Sequence, residues 1–234
     1  MNLDMNEILS KQFGISDKVI EFSRDVEKEI KGIFNNIDSI KEFNQYKVIN
    51  AMQKFNVSDS HFSGTTGYGY DDRGRETLDA VYADVFKAED ALVRHNIVAG
   101  TQALALCLYG NLRPGDELLS VTGKPYDTME EVIGIRGEGG GSLKEFGITY
   151  NQVDLFPDGS VNYKGIKAAV NNRTRMVLIQ RSRGYSWRPS IKIDEIGKIS
   201  EYIKSINKDI IIMVDNCYGE FVEKKEPNEV GADV

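Results

Sequence analysis

Cysteine, proline and histidine are scarce in this sequence, at two, five and two among 234 residues. Cys107 and Cys217 sit in apolar stretches without CxxC spacing. A disulfide framework is therefore excluded, and each cysteine reads as a small buried hydrophobe rather than a ligand or redox pair. No metal site is expected. Prolines this few exclude a collagen-like or low-complexity chain. Basic residues do not predominate either: 29 Lys and Arg against 36 Asp and Glu leave a net charge of −7, so no general nucleic-acid surface is implied. Long apolar runs are missing too. Asp4, Glu7, Asp17, Glu21 and Asp25 interrupt the first apolar positions, so neither a secretory leader nor a span of about 20 apolar residues is expected. The chain reads as cytoplasmic, with no membrane partner.

What is present is a globular composition, 41% hydrophobic and 28% charged, in a chain long enough to bury a sizeable core. From residue 16 to 55 there is no proline, and Phe22, Val26, Ile30, Ile33, Phe34, Ile37 and Ile40 recur at steps of three and four. This spacing predicts an amphipathic helix, or two joined near Gly32 or Asn44, with Ser16 and Asp17 supplying the start. A helical segment is thus expected over 1–62, packing on the rest of the chain or on a partner subunit.

At Ser63 the texture changes to a glycine-rich, aromatic and charged stretch that ends a helix. The chain then alternates. A helix is predicted around Leu78–Phe86, a strand over 92–98, a helix over 100–109, a strand over 117–121, a short helix over 127–133 and a glycine-rich loop over 136–142. Strands over 148–155, 176–179 and 210–214 follow, separated by helix stripes at Tyr163–Val170 and Ile193–Ile206. Short apolar strands alternating with amphipathic helices imply an α/β fold with a mostly parallel sheet covered on both faces. Ligands of such sheets gather at the carboxyl ends of the strands.

Four strand ends carry candidate chemistry. Val98-Ala99-Gly100-Thr101-Gln102-Ala103 brings a glycine, a hydroxyl and an amide to a helix start, suited to a phosphate; it also reads as a glycine turn with a threonine cap. Thr122-Gly123-Lys124-Pro125-Tyr126-Asp127-Thr128 presents an aromatic ring for a planar ligand, or a tyrosine packed on its own loop. Gln180-Arg181-Ser182-Arg183-Gly184-Tyr185-Ser186-Trp187-Arg188 interleaves arginines with aromatics, either as a carboxylate or phosphate site or as a solvated rim or interface. Val214-Asp215-Asn216-Cys217-Tyr218 sets a carboxylate at the tip of a buried run, where it needs a cation or several donors, or caps the next turn.

Taken with Gly67-Tyr68-Gly69-Tyr70-Asp71-Asp72-Arg73-Gly74, these motifs resemble, over residues 63–234, the N-terminal part of the large domain of pyridoxal-phosphate enzymes of the aspartate-aminotransferase fold type. More narrowly they resemble the aluminium-resistance or methionine gamma-lyase-like family related to cystathionine lyases. The resemblance implies that Gly100, Thr101 and Gln102 hold the phosphate of pyridoxal 5'-phosphate, that Tyr126 stacks on its ring, and that Asp215 pairs with the protonated ring nitrogen. Tyr218 is implied to hydrogen-bond the phenolic oxygen. Tyr70 and Arg73, or Tyr68 and Arg75 in other registers, are implied to reach a partner's cofactor phosphate in a homodimer or homotetramer, and Arg181 or Arg183 to engage the substrate carboxylate. The implied activity is cleavage of a carbon–sulfur bond in a cysteine-, methionine- or cystathionine-like amino acid.

In that fold type a Schiff-base lysine follows the aspartate by some twenty or more residues. Only Lys224 and Lys225 follow Asp215, too soon and in a charged turn, so the lysine is expected beyond Val234 and the chain is expected to be a fragment, inactive alone. A non-catalytic binding or assembly protein on the same fold is the alternative. A nucleotide-binding α/β domain is disfavoured, because neither GxGxxG nor GxxxxGK[ST] follows a strand.

Overall fold

The computed structural model describes residues 4–65, 68, 72–138 and 140–234. It divides into two compact units, residues 1–45 and 46–234. In the first, α1 (Met5–Lys11) is capped by Asp4, whose side chain accepts from Asn6 N, and α2 (Asp17–Lys54) begins. Of the two alternatives, one helix or two joined near Gly32 or Asn44, the single helix is found: α2 runs unbroken through both, a lone helical glycine costing only about 1 kcal/mol. Phe22, Ile33, Phe34 and Ile37 on α2 are exposed.

The second unit holds the last turns of α2, a 3-10 turn (Asp59–Phe62), α3 (Arg73–Phe86), α4 (Gly100–Asn111), β1 (Glu117–Ser120), α5 (Asp127–Ile133), β2 (Thr149–Gln152), α6 (Tyr163–Ala169), β3 (Thr174–Gln180), α7 (Ile193–Ile206), β4 (Ile211–Asp215) and a second 3-10 turn (Pro227–Val230). The four strands form one parallel sheet in the order β2-β1-β3-β4, the α/β architecture expected from the alternating pattern. Side chains alternate across it. Leu118, Met176, Leu178 and Met213 pack with Leu108 of α4 and Met129 and Ile133 of α5. Leu119, Val177, Ile179, Ile212 and Val214 pack with Ile166 of α6 and Ile196, Ile199 and Ile203 of α7. Two covered faces explain why β3 and β4 read as continuous apolar runs. Each fully buried aliphatic side chain contributes about 1.5–3 kcal/mol.

A third, smaller cluster joins Val48 and Ala51 of α2, and Phe55 just past its end, to Val81, Val85 and Phe86 of α3. Here Gly74 is required: a Cβ would lie 2.4 Å from the His61 carbonyl oxygen, so only glycine lets α3 start this close to the preceding turn.

One expected strand is absent. Residues 92–98 are irregular, with Leu92 and Val98 exposed. The reason is local: the N–H groups that a ladder needs are taken by side chains, Val93 N donating to Asp79 Oδ1 (2.8 Å) and Val98 N to Gln102 Oε1 (2.9 Å). Arg94 Nη1 adds an ion pair to the same Asp79 oxygen at 2.7 Å. Among the described residues no helix is long and apolar enough to cross a membrane, and no cluster of His, Cys, Asp and Glu could hold a metal ion.

Candidate functional site

Parallel strands end together, so the segments after β1, β3 and β4 meet at one edge of the sheet. Gln180 and Asp215 are register partners at the ends of β3 and β4. Beside them opens a cavity of about 400 Å³ lined by residues that include Gly100, Thr101, Tyr126, Thr128, Asp215 and Tyr218. A volume of this size suits a small ligand.

At one wall, α4 starts at Gly100 with no side chain capping it, so the N–H groups of its first turn are available to an acceptor. A Cβ at Gly100 would meet nothing within 4 Å, which leaves room for a ligand. Thr101 Oγ1 lies 2.7 Å from Thr128 Oγ1, joining the first turns of α4 and α5 through two hydroxyls. Together they form a donor set for an anion. Gln102 takes another role: its side chain accepts from Val98 N and is not part of the cavity lining. Its amide oxygen thereby ties residue 98 to the first turn of α4.

Tyr126 contributes the aromatic surface. Its ring stacks on Tyr185 with centroids 5.9 Å apart and planes at 28°, and the two hydroxyls lie 3.3 Å apart. That hydrogen bond, more than the nearby charges, pushes the Tyr126 phenol up to about 12. Tyr126 thus packs on Tyr185 of another loop, not on its own, while lining the cavity.

Asp215 is 8% exposed. Its Oδ1 accepts from Cys217 N at 3.1 Å, so it turns the chain as a cap while its carboxylate lines the cavity. Burial raises its pKa above the ordinary carboxylate value; the Cys217 N–H opposes this and the Glu220 charge adds to it. A buried acid held high calls for a cation or donor beside it. Tyr218 also lines the cavity, largely exposed, in the left-handed region at φ +67°.

Pyridoxal 5'-phosphate fits this donor set: hydroxyls and an uncapped helix start for a phosphate, an aromatic ring for a planar ring, and a buried carboxylate for a protonated ring nitrogen. No lysine is among the residues lining the cavity.

Two other expectations change, those for Arg181 and Cys217. Arg181 does not face a ligand: it is 3% exposed and its guanidinium donates to Asn216 Oδ1, Gly219 O and Glu223 Oε1, each at 2.7 Å. Burial forces the charge to be consumed internally, so Arg181 is removed as a substrate-carboxylate residue. Arg183 is exposed and lies outside the cavity lining. Cys217, expected in the core, is exposed, because the chain turns outward after β4; Cys107 stays half-buried, and burial pushes its thiol up. Arg73 is exposed at the start of α3, Arg75 lies 3.5 Å from Asp72, and Tyr68 is exposed. Tyr70 lies outside the described residues, as do Gly67, Gly69 and Asp71.

Thr128, Ser182 and Glu220 join the site without having been singled out for it. Thr128 carried a signal, since it lies two residues past Tyr126 at a helix start, but that position also suits a cap. Nothing in the spacing of Glu220 pointed to the cavity.

Comparison with known proteins follows the same lines. A family model described as methionine gamma-lyase matches residues 19–234. The Bacillus subtilis protein YnbB is 54% identical over 211 residues, 90% of this chain and 50% of that protein. The crystal structure of a carbon-sulfur lyase involved in aluminum resistance from Clostridium novyi NT superposes with a TM-score of 0.92 at 48% identity, covering all of this chain and 56% of that one. The fold alone is shared with the pyridoxal-5'-phosphate-dependent protein YhfS of Escherichia coli, at a TM-score of 0.62 and 21% identity over 82% of this chain and 49% of that one. The chain spans about half the length of the relatives it matches most extensively.

Proposed function

This chain belongs to the methionine gamma-lyase family, and from that membership we propose that the protein binds pyridoxal 5'-phosphate and cleaves a carbon–sulfur bond in an amino acid of the cystathionine, methionine or cysteine class. The observation that carries the reading is the meeting of Gly100, Thr101, Thr128, Tyr126, Asp215 and Tyr218 around one cavity of about 400 Å³. Support also comes from the Clostridium novyi relative, named a carbon-sulfur lyase.

When bound, the cofactor supplies an electron sink for negative charge developing on the amino-acid carbon. The chain's residues bind, orient and tune. In this reading the α4 start and the Thr101 and Thr128 hydroxyls hold the phosphate, and Tyr126 lies against the ring. The Asp215 carboxylate keeps the ring nitrogen protonated, and the Tyr218 hydroxyl donates to the phenolic oxygen. Its burial strengthens the Asp215 interaction, because little water screens it. Tyr70 and Arg73 are assigned to the cofactor phosphate of a second subunit in a homo-oligomer, and Arg183 remains the candidate for the substrate carboxylate.

The test is an absorbance titration of pyridoxal 5'-phosphate into the full-length protein and into Asp215→Ala, with release of thiol and keto acid from cystathionine, methionine and cysteine measured in parallel. Saturable binding that weakens in Asp215→Ala, with turnover of one of the three, supports the reading. Equal binding in both proteins removes the ring-nitrogen contact, and binding without turnover favours a non-catalytic protein on the same fold.

A further inference from the structure

The residues that place Asp215 and Tyr218 are held by a buried polar network that no ligand touches in the proposal above. Arg181 follows β3 directly. Its main-chain N–H donates to Asp215 O at 3.0 Å, and its carbonyl accepts from Ile191 N at 2.9 Å. Its guanidinium then crosses to the loop after β4, where Nη1 donates to both Asn216 Oδ1 and Gly219 O while Nη2 holds Glu223. Glu223 Oε1 in turn accepts from Ile193 N, the first residue of α7, at 3.0 Å.

The network extends under the loop. Asn216 Nδ2 donates to Glu226 Oε2 at 3.2 Å, and Glu226 Oε1 accepts from Phe221 N at 2.9 Å. Glu226 is completely buried although it ends a charged turn. Burial raises its pKa, while the Phe221 N–H, Lys47, Asn216 and Arg181 act against that.

Two features show that the loop is held rather than relaxed. Tyr218 and Phe221 both sit at positive φ, +67° and +61°, a conformation that residues other than glycine disfavour. Gly219 has no space for a side chain: a Cβ would lie 2.4 Å from Asn216 Oδ1 and 2.6 Å from Arg181 Nη1. A guanidinium suits this place because its planar fork serves three acceptors at once, which a lysine ammonium on a flexible stem does not match.

We propose that Arg181 is a positioning residue whose guanidinium clamps the loop 216–223 and so keeps Tyr218 at the cavity beside Asp215. The effect on cofactor affinity rests on the proposed binding of pyridoxal 5'-phosphate; the clamp itself does not.

The experiment compares Arg181→Lys with the wild-type full-length protein by hydrogen exchange and by pyridoxal 5'-phosphate titration. The lysine keeps a positive charge beside the half-buried Glu223. Amides of 216–222 are expected to exchange about tenfold faster while β1 and β3 keep their protection, and cofactor affinity is expected to fall about tenfold. Gly219→Ala, which changes no charge, is expected to do the same and decides the matter if Arg181→Lys does not fold. Ile166→Val, a core change on α6, controls for general loss of stability. Unchanged exchange in the loop overturns the proposal. So does a loop effect no larger than that of Ile166→Val at matched loss of melting temperature, or a loosened loop with unchanged cofactor affinity. If the wild-type protein does not bind pyridoxal 5'-phosphate at all, the proposed function fails, and the exchange data alone decide the clamp.

Discussion

Gln180 and Asp215 stand side by side as register partners at the carboxyl ends of β3 and β4, and the next residue after Gln180, Arg181, donates its main-chain N–H to the Asp215 carbonyl at 3.0 Å. The acid of the cavity is therefore placed by the sheet ladder and its immediate extension. Its neighbours Tyr218 and Glu220 are placed by a loop, which needs its own restraints.

Loss of a hydroxyl at the anion end should weaken binding without unfolding the protein. Thr101→Val keeps the shape and removes the hydrogen bond to Thr128, 2.7 Å away. Pyridoxal 5'-phosphate affinity is expected to fall about tenfold, the effect of losing one hydrogen bond to a charged group. Titration of Thr101→Val against wild type checks this, and unchanged affinity would take the threonine pair out of the phosphate site.

Asp215 should trade stability for binding. Burial raises its folded pKa, so the folded state holds its proton more tightly than the unfolded state. The protein free of cofactor then loses stability as pH rises through the interval between the unfolded and folded values. Asp215→Asn removes that cost at neutral pH and keeps an oxygen for Cys217 N. Its melting temperature without cofactor is expected to rise by about 2–4 °C, while cofactor affinity falls. A melting temperature lowered in Asp215→Asn would contradict the sign.

Cofactor affinity of the wild-type protein should fall at low pH for the same reason. Once the Asp215 carboxyl is protonated it no longer pairs with a cationic ring nitrogen. The fall is expected to begin above the ordinary carboxylate range, and Asp215→Asn should flatten it. Titrations across the acid range in both proteins test this.

Gly74→Ala should destabilise through one contact. The new methyl would lie 2.4 Å from the His61 carbonyl oxygen, a main-chain atom that moves only with its turn. A loss of about 1–3 kcal/mol is expected, in the range of overpacked sites. Chemical denaturation with an unchanged m-value measures it.

Ile199→Ala probes the α7 face of the sheet. Ile199 is completely buried among Ile196, Ile203, Val177 and Ile212, and the substitution should cost about 2–5 kcal/mol. A loss below about 1 kcal/mol would mean that this core relaxes around the cavity.

The sequence by itself determined the layered α/β fold, because a parallel sheet covered on both faces imposes apolar runs such as 176–179 and 210–214 and a stripe such as Ile193–Ile206. It also located five of the residues that line the cavity, Gly100, Thr101, Tyr126, Asp215 and Tyr218. Tyr126, Asp215 and Tyr218 follow strands that stop together at one sheet edge, whereas Gly100 and Thr101 open a helix that no strand precedes among the described residues. Periodicity could not show that 92–98 is irregular, since its apolar pattern suits a strand and only the competing side chains of Asp79 and Gln102 decide otherwise. Nor could spacing reveal what Arg181 faces. An arginine after a strand reads equally as a ligand contact or a structural one, and the choice depends on which acceptors the fold brings within reach. Here Asn216, Gly219 and Glu223 arrive from 35 to 42 residues away, so burial and long-range hydrogen bonding, both properties of the tertiary structure, turned a predicted binding arginine inward.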